Sequence, residues 1–236
     1  MSQRITIRSP NGEFDAHVAR PTSPDAPAIV VIQEIFGINA DMRATCDEFA
    51  RHGYVAVCPD LFWRIKPGVE LTDATSAEMT KALANYAAFD VDQGAVDIDT
   101  TISAVRRLDG VDGKVGVVGF CLGGLMAFLA AARSRPDVAV AYYGGGIENH
   151  LAEAAHMTTP LMIHLAGDDE FISPVAQDQI RAALDPLAQV EIETYPGCRH
   201  AFARRGGAHF DADAAAAANR CTCEFLRAHL FGESSD

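Results

Sequence analysis

The sequence predicts a doubly wound α/β fold, with a mostly parallel sheet and an antiparallel edge at its N-terminal side. Three observations predict it. Six short, nearly continuous apolar runs recur along the chain: AIVVIQ (28–33), YVAVCP (54–59), KVGVVGF (114–120), VAVAYY (138–143), LMIHLAG (161–167) and VEIETYP (190–196). Runs of this kind mark strands buried on both faces, as parallel strands are. Segments of helical spacing separate them, and strand–helix alternation is the signature of a doubly wound sheet. Ahead of both, RITIRS (4–9) and FDAHVAR (14–20) flank Pro10-Asn11-Gly12. Their β-branched alternation around an Asn-Gly turn predicts a hairpin, hence the antiparallel edge.

The helices follow in order: Asp41 to His52, Thr75 to Phe89, Asp92 to Leu108, Gly123 to Arg133, Val175 to Leu184, and an alanine-rich stretch from Ala212 to Leu230. FWRIKPGVEL (62–71) fits neither period and is expected to lie over the sheet near the site. No repeat, linker or low-complexity tract interrupts the pattern, so residues 1–236 are expected to form a single domain.

Composition narrows the classes of function. The 236 residues are 49% hydrophobic and 22% charged, a globular balance. A formal charge of -13, from 19 Lys and Arg against 32 Asp and Glu, repels nucleic acid and anionic membrane. A small molecule is the expected partner. MSQRITIRSPNGEF has no apolar leader core and no apolar run reaches the roughly 20 residues of a membrane span, so a cytoplasmic location is expected. The six cysteines, at 46, 58, 121, 198, 221 and 223, form no CxxC pair and read as reduced thiols, mostly core filler.

In doubly wound sheets ligands bind outside the carboxyl ends of the strands. The loops there are Gln33-Glu34-Ile35-Phe36-Gly37, Asp60-Leu61-Phe62-Trp63, Cys121-Leu122-Gly123-Gly124, Tyr143-Gly144-Gly145-Gly146, Asp168-Asp169-Glu170 and Cys198-Arg199-His200. Phe36 and Trp63 are the aromatic residues expected to touch a substrate there. Gly119-Phe120-Cys121-Leu122-Gly123 has the G-x-nucleophile-x-G form on a strand–turn–helix, where a sharp turn projects the middle side chain into the crevice. It also places Cys121 at a helix N-terminus, where unpaired amides favour a thiolate and the Leu122 N–H can hold an oxyanion.

A lone cysteine in a tight strand–helix turn would read as buried filler. The partners change that reading, because nucleophile, acid and histidine follow in the chain order of α/β-hydrolases, each just after a predicted strand. His200 in PGCRHAFAR is the expected general base; His209 lies farther along, beside the last helix and on the surface, and His164 lies inside a strand. The acid is Asp168 or Asp169, either of which could instead cap the helix after Ser173-Pro174.

With QEIFGIN (33–39), CPDLF (58–62), GFCLGG (119–124), AGDDEF (166–171) and HAFAR (200–204), the whole chain resembles the dienelactone hydrolase, or carboxymethylenebutenolidase, family. The resemblance implies an α/β-hydrolase fold and a cysteine hydrolase that opens an activated lactone or enol ester, such as a dienelactone giving maleylacetate, through a thioester and with no metal or organic cofactor. It implies the triad Cys121, Asp169 and His200, with Ile35 giving the second oxyanion amide. Glu34 would keep the resting thiol protonated, since a carboxylate beside it opposes the thiolate. Arg204 resembles the family's arginine for the substrate carboxylate, although composition alone does not separate it from Arg205. The family's other carboxylate-binding arginine falls on Met79, with Lys81 and Arg64 as unaligned substitutes. Competing readings are a general carboxylesterase or peptidase and, in another class, a noncatalytic redox-sensing or ligand-binding thiol protein.

Overall fold

The computed structural model describes residues 3–231. Eight strands run in the order β1-β2-β4-β3-β5-β6-β7-β8. The chain divides into two compact units that meet within the fifth strand, one ending at Gly116 and one beginning at Val117.

The first unit opens with the hairpin of β1 (Gln3–Ser9) and β2 (Gly12–Ala19), paired antiparallel from Gln3↔Val18 to Ser9↔Gly12. β2 also pairs antiparallel with β4 (Val55–Pro59), and β4 pairs parallel with β3 (Ala26–Ile32). β3 and β4 are buried along their whole length, which is why their sequences are apolar at every position rather than alternating. Three helices belong here: α1 (Ala40–Arg51), α2 (Ser76–Ala88) and α3 (Val91–Val105). Each starts at a side-chain cap, Asn39, Thr75 and Asp90 respectively, accepting from an N–H three residues on.

FWRIKPGVEL straps onto the loop after β3. Gly37 bridges Glu70, the Leu71 N–H donates to the Phe36 carbonyl, and Asn39 Nδ2 donates to the Leu71 carbonyl. Gly37 has φ +78°, and a Cβ there would lie 1.9 Å from the Val69 carbonyl oxygen, so only glycine lets the strap approach.

The second unit takes over the end of β5 (Val111–Phe120) and continues through α4 (Leu122–Arg133), β6 (Val138–Tyr142), β7 (Leu161–Ala166), α5 (Pro174–Leu184), β8 (Val190–Tyr195) and α6 (Ala212–Leu230). β6, β7 and β8 pair in parallel. α4 is buried from Leu122 through Ala131, as an all-apolar helix must be. Two features differ from expectation. β8 is the outermost strand of the order and half exposed, with Glu191 and Glu193 on one face turned to solvent and Val190 and Ile192 on the other partly buried. Residues 147–156 form two short 3₁₀ turns with too few residues to show a period. All six cysteines are free; Cys46, Cys58 and Cys198 are buried and the other three half-buried. No helix among the described residues is long and apolar enough to cross a membrane.

Candidate active site

The end of β5 runs into α4 through one residue, and that residue is Cys121. Its backbone sits at φ 56° and ψ −115°, a conformation that non-glycine residues occupy only where surrounding structure enforces it. The enforcement is steric. A Cβ on Gly119 would lie 1.8 Å from the Gly123 carbonyl oxygen, and one on Gly124 would lie 2.4 Å from that of Tyr142. The Cys121 N–H donates to the Tyr142 carbonyl at 3.0 Å, and the Cys121 carbonyl accepts from Gly124 and Leu125. These bonds leave the thiol side chain to project from the turn. Leu122 is the first residue of α4, where helical geometry provides no intrahelical acceptor for the N–H.

His200 comes from the loop after β8 and Asp169 from the loop after β7. The imidazole Nδ1 lies 2.9 and 3.1 Å from the two Asp169 carboxylate oxygens. A carboxylate only accepts, so Nδ1 carries the proton. Asp169 Oδ1 also accepts the Phe171 and Ile172 N–H groups at 2.8 and 3.2 Å, which fixes the carboxylate in its loop. The other ring nitrogen, Nε2, is buried and has no nitrogen or oxygen partner among the described residues, while Cys121 interacts with the same imidazole. Burial is the largest influence on the imidazole and works against its charged form, yet the hydrogen bonds and charges of Asp169 and Cys121 outweigh it and raise the His200 pKa to about 10. Tyr143 and Phe171 pack edge-on against the ring at centroid distances of 5.2 and 4.8 Å.

Asp168 is exposed and its N–H donates to the Cys198 carbonyl, so the second unit brings together Cys121, Leu122, His200 and Asp169, and leaves Asp168 outside. His164 is fully buried between Tyr195 and Thr222, at 3.0 and 2.9 Å. His209 is half-buried, and its Nδ1–H donates to the His200 carbonyl at 3.1 Å. Arg204 is half-buried and folds over its own turn, where a Cβ on Gly207 would come within 2.7 Å of its Nε; Arg205 is exposed.

The first unit holds Glu34, Ile35 and Phe36 on the strapped loop after β3. Glu34 and Phe36 are buried and Ile35 is half-buried. Trp63 stacks on Phe14 and donates from Nε1 to Asp97 at 2.9 Å. It lines a cavity of about 570 Å³ whose wall includes Arg4, His17, Arg43, Asp60 and Glu70. Arg64 lies over the Trp63 ring at 4.1 Å and pairs through both terminal nitrogens with the fully buried Asp97. That ion pair engages the Arg64 guanidinium. Lys81 lines a separate cavity of about 460 Å³ with Lys66, Leu71 and Asn85.

Sequence reasoning passed over Glu170. This residue accepts the His200 backbone N–H and pairs with Arg199 and His209. Its position directly after Asp169 was the one available signal.

The model of the dienelactone hydrolase family matches residues 14–230. A carboxymethylenebutenolidase of Pseudomonas putida is 37% identical over 96% of this chain and 96% of its own. Carboxymethylenebutenolidase 1 of Cupriavidus pinatubonensis is 37% identical over 94% of each chain. A protein of Azospirillum brasilense given the same name provisionally is 43% identical, over 93% of this chain and 95% of its own. Among solved structures, a dienelactone hydrolase-like promiscuous phosphotriesterase from metagenomic libraries superposes with a TM-score of 0.82 over 98% of both chains, at 18% identity, a likeness of fold.

Proposed function

The chain belongs to the dienelactone hydrolase family and is a hydrolase of ester or lactone bonds in small molecules, and from that premise we propose that it opens an activated lactone or enol ester, most simply a dienelactone to maleylacetate, through a thioester on Cys121. The observation that carries the proposal is the unbroken relay in the second unit: a strained elbow thiol, an imidazole whose Nε2 is left for that sulfur, and a buried carboxylate on Nδ1.

The relay supports the following chemistry. His200 takes the thiol proton at Nε2, and the Asp169 carboxylate stabilises the resulting imidazolium and fixes its orientation. The thiolate attacks the lactone carbonyl, forming a C–S bond as the carbonyl oxygen gains the electron pair. The Leu122 N–H, at the positive end of α4, holds that oxyanion. Collapse of the adduct breaks the ring C–O bond and expels an enolate, leaving an acyl-thioester. The His200 imidazolium gives its proton to the enolate, which frees Nε2. Water then attacks the thioester as Nε2 takes its proton, and the adduct collapses to the acid and a thiolate that takes that proton back as the thiol. Sulfur suits this substrate class, because a thiolate leaves a tetrahedral adduct more readily than an amine does, whereas a resonance-stabilised enolate departs with little acid assistance.

The family pattern implies three further roles: Ile35 gives a second oxyanion N–H, Glu34 opposes the resting thiolate, and Arg204 receives a substrate carboxylate. Phe36 and Trp63, aromatic residues of the loops after β3 and β4, are read as substrate contacts. The reaction has no step that calls for a metal or organic cofactor, and the proposed setting is the cytoplasm.

The test is steady-state kcat/KM on cis- and trans-dienelactone beside a neutral lactone, with mass spectrometry of acid-quenched enzyme. A dienelactone preference with the acyl mass on the Cys121 peptide is expected. An acyl group on another residue, or turnover with no acyl-enzyme in a quench fast enough to trap one, would overturn the thioester.

A further inference from the structure

We infer that Glu170 and His209 are positioning residues for the catalytic base, gripping the backbone of His200 from both sides while Asp169 holds its ring. The inference rests on the reading of His200 as that base. It concerns two residues that the proposed chemistry does not use.

Every polar group of His200 except Nε2 is engaged. Glu170 Oε2 accepts the backbone N–H at 3.2 Å. The backbone carbonyl accepts from His209 Nδ1 at 3.1 Å. The ring Nδ1–H goes to Asp169. Because a carbonyl only accepts, Nδ1 of His209 carries a proton. The same nitrogen lies 3.5 Å from Glu170 Oε1, so the two halves of the grip also face one another. Glu170 Oε1 takes Arg199 Nη2 at 2.9 Å, from the residue just before His200. Burial opposes the Glu170 charge, but its own N–H, the His200 N–H, Arg199 and His209 together hold its carboxyl below the usual range, so it remains an anionic acceptor at neutral pH.

This arrangement answers a problem that the chain poses. Residues 198–210 contain no helix or strand, and the loop must still deliver an imidazole to a sulfur. An unanchored loop would hold Nε2 there only part of the time. Consecutive acids solve it from one side: Asp169 takes the ring and Glu170 takes the main chain of the same residue. His209, nine residues on, closes the other side. The free nitrogen is the one that the chemistry uses.

Such a grip acts on the position of the base, so its loss should appear in kcat rather than in substrate binding. A misplacement of about 1 Å at a reacting group can lower a rate on the order of a hundredfold. The experiment measures kcat and KM on dienelactone, and the urea midpoint, for Glu170→Ala, Glu170→Gln, His209→Ala and His209→Asn, with His200→Gln as reference. Each alanine variant is expected to lower kcat about tenfold or more with KM within about twofold. Glu170→Gln keeps an oxygen for the His200 N–H, and His209→Asn places an N–H near that of Nδ1; both are expected to recover most of kcat.

A purely structural role would lower the midpoint without that split or that rescue. Alanine variants that turn over within about twofold of the parent, beside an inactive His200→Gln, would overturn this inference alone. Amide variants as slow as their alanine partners would also overturn it. A fully active His200→Gln would remove the base itself, and the grip with it. If Glu170→Ala does not fold, the His209 pair at its half-buried position decides the question.

Discussion

The elbow and the base loop each present one side chain of the proposed chemistry, and they hold it by opposite means. At the elbow, backbone atoms exclude alternatives: Gly119 and Gly124 have no space for a Cβ, and Cys121 takes a positive φ because the strand and helix leave no other path. At the base loop the hold on the side chain is mainly polar, although Ala201, next to His200, also takes a positive φ of 62°. His200 is held by hydrogen bonds to Asp169, Glu170 and His209, and the exposed Phe171 covers one face of its ring. Sterically fixed geometry fails all at once when it fails. Geometry fixed by separate hydrogen bonds fails in steps, each measurable by itself.

The comparison breaks most plainly at the elbow. Cys121→Ser keeps the shape of the turn and replaces the nucleophile with a weaker one, so kcat should fall by about a thousandfold or more in a folded protein. Near-normal turnover in the well-folded variant would remove Cys121 from the chemistry. The next effect belongs to the loop. Asp169→Asn keeps size but loses the charge that stabilises the imidazolium and can impose the wrong tautomer, for a loss of about 10² to 10⁴ in kcat. Asp168→Asn, at the exposed neighbour, should stay within about twofold of the parent. If Asp168→Asn is the crippling change, the acid has been misassigned.

These two regions also differ in how far the sequence reveals them. The elbow lies within six residues, and Gly119 is required by Gly123 four positions on, so GFCLGG carries its chemistry and much of its shape, although Gly124 answers to Tyr142, which is distant in sequence. The parallel strands are equally legible, since burial on both faces makes β3, β4, β6 and β7 apolar almost throughout, with His164 in β7 as the exception. The grip on His200 joins residues 30 positions apart, Glu170 to His200, and no local period records such a pairing. Trp63 and Arg64 show the same limit: their partner Asp97 lies more than 30 positions away on α3. Adjacent acids are also ambiguous in one dimension. Asp168 and Asp169 are separated only by which of them turns inward from the end of β7.

A smaller effect sharpens the contrast at the substrate end of the base loop. Arg204 stands four residues after His200, and the family resemblance sets Met79 where a second arginine is expected. If Arg204 receives the substrate carboxylate, one charge-assisted hydrogen bond contributes about 1.5 to 3 kcal/mol, or roughly one to two orders of magnitude in kcat/KM. Arg204→Ala should therefore erase most of the preference for a dienelactone over its methyl ester and leave the ester rate nearly unchanged. If Arg205→Ala or Lys81→Ala equalises the two substrates instead, the carboxylate lies elsewhere.

The smallest expected effect comes from the other buried histidine of this unit. His164 and His200 are both almost inaccessible, yet burial alone lowers the His164 pKa to about 3, because its partners Tyr195 and Thr222 are neutral, whereas Asp169 and Cys121 outweigh burial at His200 and raise its pKa to about 10. The two therefore respond to acid in opposite senses. For His164 the folded pKa lies below the unfolded value of about 6.5. Its contribution to stability is complete above that pH. It is lost as pH falls from about 6.5 toward 3, where the unfolded chain binds a proton that the folded one refuses. The loss amounts to about 1.4 kcal/mol per pH unit for that one proton. His164→Gln removes the titration while keeping groups that can meet Tyr195 and Thr222. Urea unfolding at about pH 7.5, 6 and 4.5 should show the stability gap between parent and variant narrowing as pH falls, at close to that slope. A gap that stays constant across the range would mean that His164 takes up its proton in the folded state, and that water or another group reaches it inside the sheet.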